Sequence, residues 1–481
     1  MSSRRPRRVD ANIIVIGAGS AGLVSAYIAS ALKADVILIE AAEMGGDCLN
    51  RGCVPSKALI AAARRAWHIR HADDYGISGG IVHIDFAAVM AHIRNAIDTI
   101  APHDSVERYS KLGVRCIAGH ARLVDPYTVA VDNQTYRARS IIIATGADPM
   151  IPPVPGLDTV DYLTSDTLWG LNELPRRLAV LGGGPIGCEL SQALGRLGAD
   201  VAIFEMQPRL LAGEDIDVSD RLMAQLTTEG VSLHTGSKVT AIEPGRLTYQ
   251  TDNGNDGEYI FDSVLVATGR KPRVEGMGLE ELGIELTSGR IDSNPFLQTR
   301  YPHIFACGDV VGPYQFTHAA SHQAWHATVN ALFRPFKRFR ISYEHLPWAI
   351  YTDPEIGRVG LNENTANERD IKFECTRFDL SGLDRAVTDG ETNGFVKILS
   401  KPGSDKILGA TIVGHGAGEM VGAITLAMKH GIGLNRILGT ILPYPTYNEA
   451  LKRVAGIWKS DHAPEWALTL LRHYHQIRRR I

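Results

Sequence analysis

With 481 residues, 44% hydrophobic and 21% charged, the chain is too long for one core, and roughly two to four domains are expected. A net charge of −3 leaves no electrostatic footprint for nucleic acid. The six cysteines make neither a secreted disulfide framework nor the Cys-x-x-Cys pairs of a structural zinc site, so no metal is expected, and no apolar run is long enough to span a bilayer.

The N-terminus has Arg4, Arg5, Arg7 and Arg8 without an apolar h-region, which argues against a secretory signal and for a cytoplasmic location. A short strand, Asn12 to Ile16, then runs into Gly17-Ala-Gly19-Ser-Ala-Gly22, a helix, and a second strand from Asp35 to Ile39 ending at Glu40. Glycines at this spacing permit a tight turn, close approach of backbone to a pyrophosphate, and close helix–strand packing, while the acid can bond a ribose hydroxyl.

Directly after this unit, Cys48 and Cys53 flank four residues within Gly46-Asp-Cys-Leu-Asn-Arg-Gly-Cys-Val-Pro-Ser-Lys57, ahead of a helix-forming run from Ala58 to Trp67. Thiols so placed can close a small disulfide loop at a helix N-terminus, where the dipole and unsatisfied N–H groups favour a thiolate. The pair reads as a redox-active disulfide exchanging electrons with a flavin.

The nucleotide grammar returns at Leu178 to Leu181, Gly182-Gly-Gly184-Pro-Ile-Gly187, a helix, and strand Asp200 to Phe204 ending at Glu205. Each acid follows its first glycine at the same interval. Each unit is echoed downstream by a strand entering Ala-Thr-Gly, Ile141 to Gly146 and Val264 to Gly269. A lone glycine fingerprint is weak, but two in full context point to two dinucleotide sites.

From Ser342 the composition changes to strand-like runs (Phe395 to Leu399, Leu408 to Val413) around a helical pattern from Gly418 to His430, as expected of a separate α+β domain. Trp466, Leu470, Tyr474 and Ile477 then recur at helical spacing ahead of Arg478-Arg-Arg480. This stripe reads as a helix packed on its own domain or a partner subunit rather than a membrane-surface anchor. Cys116, Cys188, Cys307 and Cys375 read as buried packing residues.

These motifs, in this order from Ile13 to about Ala455, resemble the FAD-dependent pyridine nucleotide–disulfide oxidoreductases, of the dihydrolipoamide dehydrogenase and mercuric reductase type. The resemblance implies an α/β fold of two Rossmann-like dinucleotide-binding domains plus a C-terminal α+β dimerisation domain. It places a discontinuous FAD domain at 9–160 and 274–343, an NAD domain at 161–273, and a dimerisation domain with a helical tail at 344–481. FAD would lie on Gly17, Gly19, Gly22, Glu40 and Gly146, with Asp309 of the His303 to Asp309 stretch on the ribityl chain and Ala319 opening a helix toward the flavin. NAD would lie on Gly182, Gly184, Ile186, Gly187, Glu205 and Gly269. NADP is disfavoured, because Glu205 would repel a 2′-phosphate.

By the same resemblance Cys53 faces the flavin, Cys48 exchanges with substrate, and Lys57 pairs with Glu189 beside the isoalloxazine. Dithiol-handling members carry a His-Pro-Thr-x-x-Glu motif; here Tyr444 stands in the histidine position and Glu449 is retained. Tyrosine stays protonated near neutral pH and is a poor base. His318 and His415 are weaker candidates for that role. The leading reading is an enzyme passing electrons between NAD(H) and the Cys48–Cys53 disulfide, then to or from a small disulfide or dithiol such as lipoamide. Alternatives are a mercuric reductase-like or quinone reductase activity, or a non-enzymatic flavin-binding redox sensor or electron partner. The implied partners are a small-molecule substrate and a second copy of the chain, with no nucleic acid and no membrane association expected.

Overall fold

The computed structural model describes residues 8–78 and 81–479; Arg4, Arg5, Arg7 and Arg480 of the two basic clusters lie outside them. The chain forms two compact units, one of residues 1–208 and 229–342 and another of 209–228 and 343–481.

The first unit is built on two sheets whose central strands are continuous apolar runs, as strands covered on both faces require. Ala11–Ile16 lies between Val36–Glu40 and Gln134–Ile143 and is parallel to both. Val114–Ala118 and Ile304–Ala306 extend the sheet in parallel, while Thr128–Val131 and Ala121–Asp125 add an antiparallel meander. Ile13, Ile14 and Val15 are wholly buried, each contributing about 1.5–3 kcal/mol by burial.

The second sheet repeats the plan, with Arg177–Leu181 between Asp200–Phe204 and Ser263–Val266, all parallel. In both sheets the strand order reverses at the strand preceding the glycine fingerprint. Its carboxyl end is therefore the crevice where open α/β sheets bind ligands.

The other unit centres on an antiparallel five-stranded sheet ordered Pro347–Ile350, Ile356–Gly360, Ile407–Val413, Phe395–Ser400, Glu374–Asp379. The helices Ala417–Lys429 and Glu449–Asp461 bury Met420, Val421, Ile424, Leu451, Val454 and Trp458 in its core. By contacts the helix Ile216–Thr228 clusters with this unit, while in the chain it is the crossover between the parallel strands Asp200–Phe204 and Ser232–His234. Lys397, 3% exposed, binds Asp215 and Asp217 at 2.8 Å and Glu363 at 2.6 Å. These three carboxylates, close enough together to suit a cation, are thus already held by an ammonium.

Two expectations need correction. The helix Glu465–Arg478, set off from Glu449–Asp461 by a non-helical break, buries no residue, so of the two coverings expected for its apolar stripe, its own domain does not supply one. The four remaining cysteines are not all buried: Cys188 and Cys307 are, Cys116 is half-buried, and Cys375 is exposed. Cys375 lies on an edge strand whose alternation turns the neighbouring Thr376 inward instead.

Candidate functional site

At the end of the strand Ala11–Ile16, the turn into the helix Ser20–Ala31 brings backbone against backbone. Gly17 has φ +100°, and a Cβ there would sit 2.3 Å from the Ala144 carbonyl oxygen; one on Gly22 would sit 1.7 Å from the Gly17 oxygen. Gly46 meets Gly19 so closely that a Cβ would lie 2.6 Å from the Gly19 Cα. Only glycine leaves this cradle open. Glu40 accepts from the N–H groups of Ala18 and, at 2.8 Å, Ala42, which fixes its carboxylate at the strand end.

A cavity of about 870 Å³ opens from this turn, lined by Gly17, Gly19, Glu40, Gly146, Asp309 and both Cys48 and Cys53. The polar cradle at one end and the thiols at the other fit an extended dinucleotide with a redox-active ring, as FAD is.

The thiols occupy two successive helices. Cys48 lies in the short helix Gly46–Asn50, and Cys53 is the first residue of Cys53–Arg70. That helix starts earlier than the sequence predicts, because Pro55 falls in its first turn, where a missing N–H is no loss. Both cysteines are free thiols. The Cys53 thiol is lowered to about 6 by the hydrogen bond with Cys48, by the Thr317 hydroxyl and by the Lys57 ammonium, against the opposing effect of burial. Cys48 moves the other way, pushed up by its bond to Cys53 and by burial. One proton is therefore shared unequally, with the thiolate on Cys53.

Lys57, one turn along the helix, lies 2.8 Å from Glu189, a carboxylate buried on the helix Pro185–Leu197. Thr317 lies 3.3 Å from Cys53 Sγ at the first position of the helix Thr317–Phe333, where Ala319 is fully buried. A thiolate at Cys53 thus accepts from a hydroxyl and faces a helix N-terminus.

Asp309 sits at the cavity wall with its carboxyl pushed up to about 6 by burial, against the pull of Arg270 3.9 Å away. Arg270 also pairs with Asp47 and, at 3.7 Å, with Asp166. Arg273 reaches Asp47 at 3.4 Å. This cluster ties the short helix bearing Cys48 to the segment following Gly269.

The second cradle repeats the first. Gly182 has φ +108°, a Cβ on Gly187 would lie 2.0 Å from the Gly182 oxygen, and Gly184 faces open space. Glu205 accepts from the Gly183 N–H at 2.6 Å and the Gln207 N–H at 2.7 Å. Ile186 follows at the second position of the helix, and Gly269 adopts φ +126°. The open face at Gly184, with an acid at the end of the next strand, fits the pyrophosphate and ribose of NAD.

In the other unit, Tyr444 is 67% exposed and donates its hydroxyl to Asp384 at 2.8 Å. That bond raises the phenol above its ordinary range. Glu449 opens the helix Glu449–Asp461; the tyrosine's carboxylate partner is Asp384 instead. Arg385 pairs with Asp389 at 2.7 Å, and Tyr447 donates to the same carboxylate at 3.0 Å. His415 rests against the Tyr447 ring, and His318 stacks on Phe316.

Sequence reasoning passes over Thr317, Gly46 and Arg270, and names the Tyr444 region and the Asp384-Arg385-Ala386 loop as substrate contacts without joining them. Thr317 and Arg270 adjoin recognised motifs, so a hydroxyl at a helix start and a charge after Ala-Thr-Gly were the available signals. Asp384 joins Tyr444 across a long sequence separation that no local pattern carries.

Residues 11–324 match the pyridine nucleotide-disulphide oxidoreductase family, and residues 346–455 match its dimerisation domain. The chain is 36% identical over 444 residues to a dihydrolipoyl dehydrogenase of Chlamydia muridarum, covering 91% of this chain and 94% of that one. It is 34% identical over 460 residues to a mercuric reductase of Staphylococcus aureus, covering 94% and 83%. The crystal structure of LpdA from Mycobacterium tuberculosis superimposes with a TM-score of 0.84 at 26% identity, covering 93% of this chain and 99% of that one.

Proposed function

Because the chain belongs to the pyridine nucleotide-disulphide oxidoreductase family, FAD-dependent enzymes that move electrons between NAD(H) and a disulfide, we propose that Cys48 and Cys53 are that disulfide. We further propose that this enzyme runs in the NADH-consuming direction. Two Rossmann-like domains and a dimerisation domain make it a homodimer acting on a small redox partner. The domain limits at 9–160 with 274–343, 161–273 and 344–481 are part of the proposal, as is a cytoplasmic setting that supplies NADH.

FAD, when bound, relays an electron pair between the nicotinamide and the disulfide. The chain's own residues account for the rest. A hydride equivalent from NADH breaks the S–S bond, leaving NAD⁺, a Cys48 thiol and a Cys53 thiolate. Lys57, held by Glu189, and the Thr317 hydroxyl stabilise that thiolate. Cys48, carrying the proton, faces the acceptor. Glu205 favours NADH over NADPH.

The observation that supports the direction is the bond from Tyr444 to Asp384. If Tyr444 of the second protomer borders the dithiol, its only proton is committed to a carboxylate, and it cannot act as a base near neutral pH. Oxidation of dihydrolipoamide needs such a base, whereas reduction of a soft metal ion or quinone by the dithiol does not.

The test is a steady-state panel of lipoamide, glutathione disulfide, Hg(II) and quinones, with NADH and NADPH. Wild type should show low dihydrolipoamide turnover, and Tyr444→His should raise it by about 100-fold or more. Rapid dihydrolipoamide oxidation by wild type would overturn the direction, and a strong NADPH preference would overturn the role of Glu205.

A further inference from the structure

The helix Glu465–Arg478 lies beyond the matched dimerisation domain and none of its residues is buried. Trp466, Leu468, Leu470, Leu471, Tyr474 and Ile477 are each between 48% and 73% exposed. At 3.6 residues per turn, Trp466, Leu470, Leu471, Tyr474 and Ile477 share an arc of roughly 140°. Water would not leave such a face uncovered without cost.

The rest of the helix decides what covers it. Its charged residues are Arg472 and a single acid, Glu465, on the polar side with His475, and Arg478, which falls within the apolar arc in the last turn and lies over the Tyr474 ring; Arg479 follows directly on the polar side. A helix meant for an identical helix would set these arginines against their own copies. Against an anionic surface they are all attracted. Aromatic residues near both ends of the apolar stripe, at Trp466 and Tyr474, suit the boundary between headgroups and acyl chains. At 14 residues the helix is too short to cross a bilayer, and among the described residues no helix is long and apolar enough to do so. It has the length and charge to lie in the interface plane.

We propose that the helix Glu465–Arg478 docks the enzyme on an anionic lipid surface, with its apolar stripe among the acyl chains and its arginines at the headgroups. The membrane is then a peripheral partner, and the catalytic residues take no part in binding it.

The test is sedimentation of the FAD-loaded dimer with vesicles of pure phosphatidylcholine or of phosphatidylcholine with phosphatidylglycerol, at low and high salt, alongside sedimentation velocity without lipid. Wild type should pellet with the phosphatidylglycerol vesicles, less so at high salt. Leu470→Glu with Leu471→Glu should weaken binding by about tenfold or more. Arg472→Glu with Arg479→Glu should weaken it by roughly 25-fold on anionic vesicles with little change on neutral ones. NADH oxidation in solution and the dimer should be unaltered in both variants. Failure of wild type to bind anionic vesicles overturns the proposal. So does dissociation of the dimer by the leucine variant with vesicle binding intact, which would make a second copy the occupant.

Discussion

Cys53 and Tyr444 show how one neighbour sets what a side chain can do. The Cys53 thiol, lowered to about 6 by Cys48, Thr317 and Lys57, is mostly thiolate at pH 7. A folded-state pKa below the ordinary thiol value keeps that thiolate above pH 6 and loses it as pH falls through that point. In the anaerobically reduced enzyme, alkylation by iodoacetamide should therefore have a midpoint near pH 6. Thr317→Val should move that midpoint up by about one pH unit; a midpoint above 8 in wild type would refute the arrangement. The motif around Cys48 made the thiol pair legible from sequence, because the chemistry is carried by adjacent residues. Thr317 was not legible, since it comes from a helix far along the chain.

At the scale of the element, the two strand–turn–helix units read almost entirely from sequence, because glycine spacing and β-branched runs are local signals. What they hide is that the glycines do different jobs. Gly22 and Gly187 are closed by backbone on the inside, whereas Gly184 faces empty space at an ordinary φ of −76°. Gly184→Ala should thus leave the melting temperature and FAD content unchanged while raising KM for NADH by roughly tenfold. A drop in melting temperature of several degrees would show that the glycine serves packing after all. The helix Glu465–Arg478 marks the limit of such reading. Its stripe announced an amphipathic helix, but periodicity says nothing of what covers the apolar face.

Over the whole molecule, the composition shift near Ser342 reads in the sequence as the start of a separate C-terminal domain, with no earlier segment included. Arg209–Thr228 belongs with the C-terminal residues, drawn there by Lys397 and by the pairing of Arg358 with Glu214 at 3.3 Å. No pattern in 209–228 shows this, because the partners lie well over a hundred residues away. Lys397→Met would leave Asp215 and Glu363 facing each other without their ammonium, and Asp217 with Arg377 alone at 2.9 Å. It should cost about 3–5 kcal/mol in urea unfolding of the full chain; a loss below 1 kcal/mol would mean the cluster is solvated rather than structural.

The same segment bears on how this protein can be taken apart. Because the chain enters the C-terminal unit at Arg209, leaves it after Thr228 and returns at Tyr343, no single cut separates the two. A fragment ending at Ser342 would keep the helix Ile216–Thr228 but lose Lys397, Arg358 and Asn393, the partners of Asp215, Asp217, Glu214 and Arg221. Fragment 343–481 would lack the carboxylates of Asp215 and Asp217 around Lys397. The molecule is stitched rather than strung, and its halves are expected to be made, and to fold, only together.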